Sequence, residues 1–274
     1  MIRSPRETGP QRINLSACLL LASLLLNSSP ACSETIAVAH AGADESFANQ
    51  TLTLFWPAVQ AKATLVMIPG GLGHINLKPE TQDLKHPFYQ GLKSLSSASV
   101  MGGKINVVIF DNPTQLTSSR TYPVSRMSED HLSRIDEVIQ FYRHKTAKPV
   151  YLLGHSNGSI SVTEYLRYKK KRSISKPVTG LILSGARNEA YLDEKINIRT
   201  LIIHHQQDGC INTTLKSAKE LYGELRKING ARTSFREIIN GSTKGGDPCN
   251  GGFHMYSNGE HEFAQALAAF ILNP

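Results

Sequence analysis

The sequence lacks an apolar run as long as a membrane-spanning helix, which takes roughly 20 residues. The run Ile13–Leu26 has about 14 residues, a length typical of a signal-peptide core. Arginines precede it at positions 3, 6 and 12, and small residues suited to cleavage follow at Ser29, Ala31 and Ser33. We therefore predict a signal peptide over residues 1–33, because a buried internal helix fits poorly with a terminal position and a basic flank.

A lipid anchor is the less favoured alternative for an exported chain. The residues before Cys32, Ser29-Pro30-Ala31, lack the leucine that usually stands three residues ahead of a lipid-accepting cysteine. A better match, Leu15–Cys18, falls before the apolar run is complete. We expect a soluble protein that is periplasmic or secreted, with no transmembrane segment in the mature chain.

The sequence also lacks a strong excess of either charge. The whole chain has 30 basic and 22 acidic residues, and removing the leader leaves 27 and 21, a net charge of +6. No ladder of aromatic residues of the kind found in nucleic-acid sites surrounds the one dense basic run, Tyr168–Arg172, and the run falls where a helix should end. We interpret it as a solvated helix face and expect no nucleic-acid partner.

Cysteine is scarce, with four in the chain, and only Cys210 and Cys249 lie beyond the leader. An exported protein with two cysteines usually pairs them, so we predict a disulfide. Two separate thiols, either of them a possible nucleophile, are the alternative.

Internal repeats and long low-complexity segments are absent, and strand-like and helix-like segments alternate instead. Apolar runs predict strands over residues 51–56, 63–69, 105–110, 149–154, 178–185, 198–205 and 234–239. Helical spacing predicts helices over residues 87–95, 129–145, 159–168, 213–227 and 261–272. The continuous apolar strands indicate a mostly parallel, doubly wound α/β sheet with helices on both faces. We expect a single domain over residues 51–274, preceded by a lead-in over residues 34–50.

The stretch Gly154-His155-Ser156-Asn157-Gly158 matches G-x-S-x-G between a buried strand and a helix. In that context the motif is typical of a nucleophile elbow, in which a tight turn exposes a serine hydroxyl. The backbone N–H of Asn157 would point toward an oxyanion formed at Ser156. A plain glycine-rich turn is the alternative.

A nucleophilic serine needs an acid and a histidine, which follow the elbow in that order. Asp208 stands just beyond the run 198–205, whereas its rivals Asp193 and Glu194 precede that run, and an Asp-Gly turn is the bland interpretation of Asp208. His254 lies in the loop before the last helix and His261 at the start of that helix, so we favour His254. We expect His204 or His205, or both, to be core or edge residues of their strand.

The two cysteines flank this proposed acid–base pair. Cys210 follows Asp208 by two residues and Cys249 precedes His254 by five, so a disulfide would join the acid loop to the histidine loop. A second oxyanion donor is expected from Gly71 or Leu72 in the glycine-rich loop Gly70–Gly73. Phosphate binding by that loop is not favoured, because neither G-x-G-x-x-G nor G-K-[ST] follows it.

These motifs, together with residues 204–210 and 249–254, resemble those of the α/β-hydrolase superfamily over nearly the whole mature chain, and most of all its small exported bacterial members without a cap. The resemblance implies hydrolysis through an acyl-enzyme, with Ser156 as nucleophile, His254 as base and Asp208 fixing the histidine tautomer. It implies no metal and no organic cofactor. The loop reads Pro-Gly-Gly rather than His-Gly-Gly-Gly, so lipase properties do not carry over.

The sequence leaves several functions open. A carboxylic-ester hydrolase acting on small or medium acyl substrates is our main hypothesis, and a peptidase or lactonase could use the same residues. A non-catalytic binding protein on the same fold is the alternative of another class. Asp111 could bind substrate or cap a turn, the latter being favoured, and Arg126 could serve a substrate carboxylate or a helix N-terminus.

Overall fold

The fold is built on one eight-stranded sheet. The computed structural model describes residues 32–42, 48–113, 124–174, 177–192 and 195–273, so the predicted signal peptide falls almost wholly outside the described residues. The strands are β1 Glu34–Ala39, β2 Gln50–Trp56, β3 Ala63–Ile68, β4 Ile105–Asp111, β5 Val150–His155, β6 Gly180–Ser184, β7 Arg199–His205 and β8 Thr233–Ile238. The helices are α1 Pro87–Ser97, α2 Glu129–Thr146, α3 Gly158–Lys171, α4 Leu215–Asn229 and α5 Glu260–Leu272.

The strand order places the chemically interesting loops at one edge of the sheet. The order is β1-β2-β4-β3-β5-β6-β7-β8, with β1 and β2 joined antiparallel and β2 antiparallel to β4. All the pairs from β4 to β8 are parallel, as predicted. The carboxyl ends of β3, β5, β6 and β7 therefore meet at the same edge, where ligand sites form in open α/β sheets.

Helices cover both faces of the sheet. On β3, Val66 and Ile68 belong to a core shared with α2, α3 and α4. Leu65 and Met67 belong to a second core, shared with α1 and α5. Because side chains alternate between the two faces and both are covered, β3 is apolar at five of its six positions, with buried Thr64 as the exception.

One strand was not predicted from the sequence. β1 lies in the expected lead-in and pairs with β2 at the edge of the sheet. The chain just after β1 is fastened to α2, since the ring nitrogens of His40 lie 2.7 Å and 2.8 Å from carboxylate oxygens of Glu137 and Asp130.

The basic run at the end of α3 also differs from the expectation. The helix continues through Lys171, and Lys169 is buried, with its Nζ 2.8 Å from Oδ2 of Asp136 on α2. This part of the run joins two helices instead of forming a solvated face.

Candidate active site

Ser156 stands at the carboxyl end of β5, between that strand and α3, as the motif predicted. Its φ of 51° is in the left-handed region, which non-glycine residues seldom adopt. The strained turn is held by the backbone N–H of Ser156, which donates to the carbonyl of Ser184 at 2.9 Å. Ser156 itself is half-buried, so part of the residue is open to solvent.

The glycines of the motif are required by close approach of the backbone. A Cβ added at Gly158 would collide with the carbonyl oxygen of Ile68, at the end of β3. A Cβ added at Gly154 would collide with the carbonyl of Gly158. The elbow is this compact only because both flanking positions lack side chains.

Asp208 and His254 are in direct contact. Oδ2 of Asp208 lies 2.8 Å from Nδ1 of His254, and each side chain is only 1% exposed. Asp208 lies in the loop after β7, and His254 in a short 3-10 helix, Gly252–Met255, before α5. This contact fixes the Nδ1–H tautomer and leaves Nε2 available for chemistry.

Thr213 is a contact of this pair that the sequence analysis missed. Its hydroxyl lies 3.1 Å from Oδ2 of Asp208 and 3.2 Å from Nδ1 of His254. The second carboxylate oxygen, Oδ1, accepts the backbone N–H of Cys210 at 2.9 Å. Both oxygens of Asp208 are thus engaged, which holds the carboxylate in one orientation. A threonine five residues after an aspartate carries no recognisable sequence signal.

The structure contains the Cys210–Cys249 disulfide, which spans 39 residues of sequence. Because Cys210 follows Asp208 by two residues and Cys249 precedes the His254 helix, the bridge joins the two segments that carry Asp208 and His254.

The ring of His155, the residue before Ser156 in the elbow, packs near the ring of His254. The two ring centroids are 4.9 Å apart, and His155 directly precedes Ser156. Nδ1 of His155 contacts Oγ of Ser184 at 3.1 Å, and Oγ of Ser184 contacts the Tyr256 hydroxyl at 2.9 Å. Burial, followed by the proximity of His254, holds the pKa of His155 well below its usual value, so the His155 ring beside His254 is neutral.

His204 and His205 occupy the end of β7, as expected. Nε2 of His204 lies 3.4 Å from Oδ2 of Asp208, and burial lowers the pKa of His204 to about 4. His205 contacts the carbonyl of Asn240 through Nε2 at 3.2 Å and stacks on Phe253.

The glycine-rich loop after β3 packs against the elbow. A Cβ added at Gly70 would lie 2.8 Å from Cβ of Ser156, and Gly71 has a φ of 54°. The Asn157 side chain donates to the carbonyl of Gly71 at 2.9 Å. Leu72 is 47% exposed. The three predicted oxyanion residues, Gly71, Leu72 and Asn157, thus belong to adjoining segments next to Ser156.

Arg126 contacts this same loop, and neither interpretation considered from the sequence anticipated that. The side chain is 1% exposed and donates to the carbonyls of Pro69 at 3.0 Å, Gly70 at 3.2 Å and Gly71 at 3.0 Å. These contacts join residues more than 50 positions apart in sequence, so no local pattern could have predicted them.

Asp111 has the structural role that was favoured. Its two oxygens accept the backbone N–H groups of Ile75 at 2.6 Å and Leu77 at 2.7 Å, which shapes the chain beyond the glycine-rich loop. His261, the alternative base, is exposed on α5. The alternative acids Asp193 and Glu194 lie outside the described residues. In the part of the chain that the structure describes, no group of three His, Cys, Asp or Glu side chains could hold a metal ion.

Solved structures with the same architecture match nearly the whole chain. A lid-less α/β serine hydrolase from Xanthomonas campestris superposes with a TM-score of 0.57 at 11% identity, covering 89% of this chain and 96% of that one. Dienelactone hydrolase from Anabaena variabilis gives 0.58 at 11% identity, covering 88% and 97%. Carboxyl esterase 2 from the fungus Tuber melanosporum gives 0.55 at 12% identity, covering 90% and 87%.

The chain therefore has the α/β-hydrolase fold without a large cap, as the sequence motifs predicted. Residues 185–198 are the whole connection between β6 and β7, where a cap would be inserted. No protein-family model matches the sequence, and no curated protein matches it. Within the described ranges, no helix is long and apolar enough to cross a membrane.

Proposed function

We propose that this protein is a serine hydrolase that cleaves carboxylic esters of small or medium acyl groups through an acyl-enzyme. The observation that carries the proposal is the buried 2.8 Å contact between Asp208 and His254, at the sheet edge where Ser156 occupies a strained elbow. A histidine oriented by a carboxylate, on the same sheet edge as a half-buried serine in a left-handed turn, is the set of groups that serine hydrolases use to activate the serine.

The residues act in sequence on one carbonyl. Oγ of Ser156 attacks the ester carbon while Nε2 of His254 takes its proton, and the carbonyl oxygen becomes an oxyanion. Backbone N–H groups of Asn157 and of Gly71 or Leu72 stabilise that charge. The ester C–O bond then breaks as His254 returns the proton to the leaving alkoxide. His254 then takes a proton from water, whose oxygen attacks the acyl carbon, and the bond from that carbon to Oγ breaks as His254 returns the proton to Oγ, which releases the acid and free Ser156.

Two further buried histidines next to the Asp208–His254 pair are uncharged. His155 and His204 lie close to Asp208 and His254, and burial keeps both rings neutral. They therefore place no additional positive charge next to the pair. A peptidase or lactonase would use the same groups, and dienelactone hydrolase is among the structures with this fold.

A substrate panel tests the proposal. Wild-type protein and Ser156→Ala are assayed side by side on 4-nitrophenyl esters of increasing acyl length, on simple lactones and on peptide anilides. We expect turnover of short and medium esters by the wild type only. Lactone or anilide turnover that exceeds ester turnover would reassign the substrate class, and turnover retained by Ser156→Ala would refute the mechanism.

Export is proposed together with this activity, on the basis of the leader and the disulfide. Sequencing the amino terminus of protein recovered from the periplasm or medium should locate a cleavage near Ser33. Recovery of the intact leader in cytoplasmic protein would refute it.

A further inference from the structure

Arg126 is a buried cation beneath the loop that is proposed to supply oxyanion donors. It lies in the short 3-10 helix Val124–Met127, and besides its three loop carbonyls it donates from Nη1 to Oγ of Ser161 at 3.1 Å. Ser161 is on α3, the helix that begins at the elbow. A single guanidinium therefore ties the loop after β3 to the helix that carries the nucleophile.

The geometry of the peptide group gives these contacts a direction. In a trans peptide the carbonyl of one residue and the N–H of the next point in opposite directions. Because the carbonyls of Gly70 and Gly71 point at Arg126, the N–H groups of Gly71 and Leu72 point away from it. Those are the two groups proposed as the second oxyanion donor.

The positive charge of the guanidinium also favours this orientation of the Gly70 and Gly71 peptide groups. A guanidinium stays protonated, and a charge-assisted hydrogen bond is about twice as strong as a neutral one. The cation holds the negative ends of these peptide dipoles, so their positive ends face outward. The adjacent His131, whose Nε2 lies 2.8 Å from Oγ of Ser161, is kept neutral because burial and the nearby Arg126 lower its pKa.

We propose that Arg126 is a positioning residue for the reaction, which fixes the loop carbonyls so that the N–H groups of Gly71 and Leu72 stay directed at the developing oxyanion. This inference rests on the proposed serine-hydrolase function. Arg126 itself does not touch the substrate, and its effect passes through the loop backbone.

The test compares Arg126→Lys and Arg126→Met with a matched control, Arg134→Lys. Arg134 is also fully buried and also bonds backbone carbonyls, those of Ala48 and Gln50, but not those of the glycine-rich loop. Each variant is assayed on an ethyl ester and on the O-ethyl thionoester of the same acid, with folding checked by circular dichroism. The thionoester forms a larger, weakly hydrogen-bonding sulfur anion, so the ester/thionoester preference reports on the oxyanion hole.

We expect kcat of both Arg126 variants on the ester to fall by about 10²–10³-fold, the usual effect of losing one oxyanion donor, with little change in KM. The ester/thionoester preference should fall with it. Arg134→Lys should lower the melting temperature and leave that preference unchanged. Folded Arg126 variants with wild-type kcat, or with a reduced kcat and an unchanged preference, would overturn the inference.

One further variant keeps the inference testable if the Arg126 variants do not fold. Ser161→Ala removes one hydrogen-bond acceptor of Arg126 and leaves the buried charge of Arg126 in place. It should lower kcat and the ester/thionoester preference together. An unchanged preference in folded Ser161→Ala would count against the inference. Failure of the proposed function is separate, since wild-type protein would then show no turnover that depends on Ser156.

Discussion

Breaking the Cys210–Cys249 disulfide should destabilise the fold and slow catalysis, for two different reasons. The cysteines are 39 residues apart in sequence. In the chain-entropy model, closing a loop of about 40 residues in the unfolded chain stabilises the folded protein by roughly 4 kcal/mol. Since a domain is typically stable by about 5–15 kcal/mol, the bridge supplies a large fraction of the total.

The effect on catalysis follows from what the bridge connects. The Cys210 backbone N–H bonds Oδ1 of Asp208, while Cys249 lies just before the His254 helix. Without the covalent link these segments can separate, and the Asp208–His254 contact loosens. A misplaced base should lower kcat by about tenfold or more under conditions in which the rest of the fold persists.

The assay is urea unfolding of wild-type protein and of Cys210→Ser with Cys249→Ser, followed by circular dichroism, with ester turnover measured well below each midpoint. Wild-type protein taken through reduction and reoxidation is the control, because the re-formed Cys210–Cys249 bridge should restore both the unfolding free energy and the turnover. Equal unfolding free energies for wild type and double variant, or two alkylated thiols at positions 210 and 249 in unreduced exported protein, would refute this reasoning.

Three further predictions concern the candidate site. His254→Ala should lower turnover nearly as much as loss of the nucleophile, on the order of 10⁴-fold, while substitution of the exposed His261 by Ala should change turnover little. Steady-state kinetics of both variants on one ester tests this. A larger loss of turnover in His261→Ala than in His254→Ala would place the base on α5. Gly158→Ala should abolish turnover and lower the melting temperature, because the new Cβ collides with the backbone of β3. The control Gly223→Ala, on α4, has open space around the new Cβ and should be neutral or slightly stabilising. A Gly158→Ala protein that still turns over substrate would contradict the elbow geometry. Burial holds the pKa of His204 at about 4 in the folded protein, against about 6.5 in the unfolded chain, so the unfolded chain binds more protons between these pH values. His204 should therefore lower the free energy of unfolding by roughly 3 kcal/mol as pH falls from about 6.5 to about 4. Urea titrations should show that the free energy of unfolding of His204→Asn falls less steeply with acid than that of the wild type, and an equal fall would refute the assignment.

Buried strands were predictable from sequence because both faces of the sheet are covered. β3, β4 and β5 have only buried residues, so they are mostly apolar on both faces and stand out in the sequence. β1 escaped prediction for the opposite reason, since it is a short edge strand in which Val38 is the one buried residue. Edge strands of this kind carry little hydrophobic signal.

The residues of the candidate site could be predicted only where a short sequence motif or their order in the chain identifies them. The elbow is contained in residues 154–158, and Asp208 and His254 stand in the order that such an elbow requires. Thr213 and Arg126 were missed or misinterpreted because their roles come from contacts across the fold. Arg126 reaches carbonyls 55 to 57 positions away, and nothing near it in sequence marks it as a partner of the glycine-rich loop.

The most direct test of the central claim is covalent labelling of Ser156. Wild-type protein and Ser156→Ala are treated with an alkyl fluorophosphonate and analysed by intact mass spectrometry, followed by peptide mapping. The account predicts a single phosphonyl adduct on wild-type protein, mapped to Ser156, and none on Ser156→Ala. The central claim would be contradicted if folded wild-type protein stayed unlabelled, or if wild-type protein and Ser156→Ala were labelled equally.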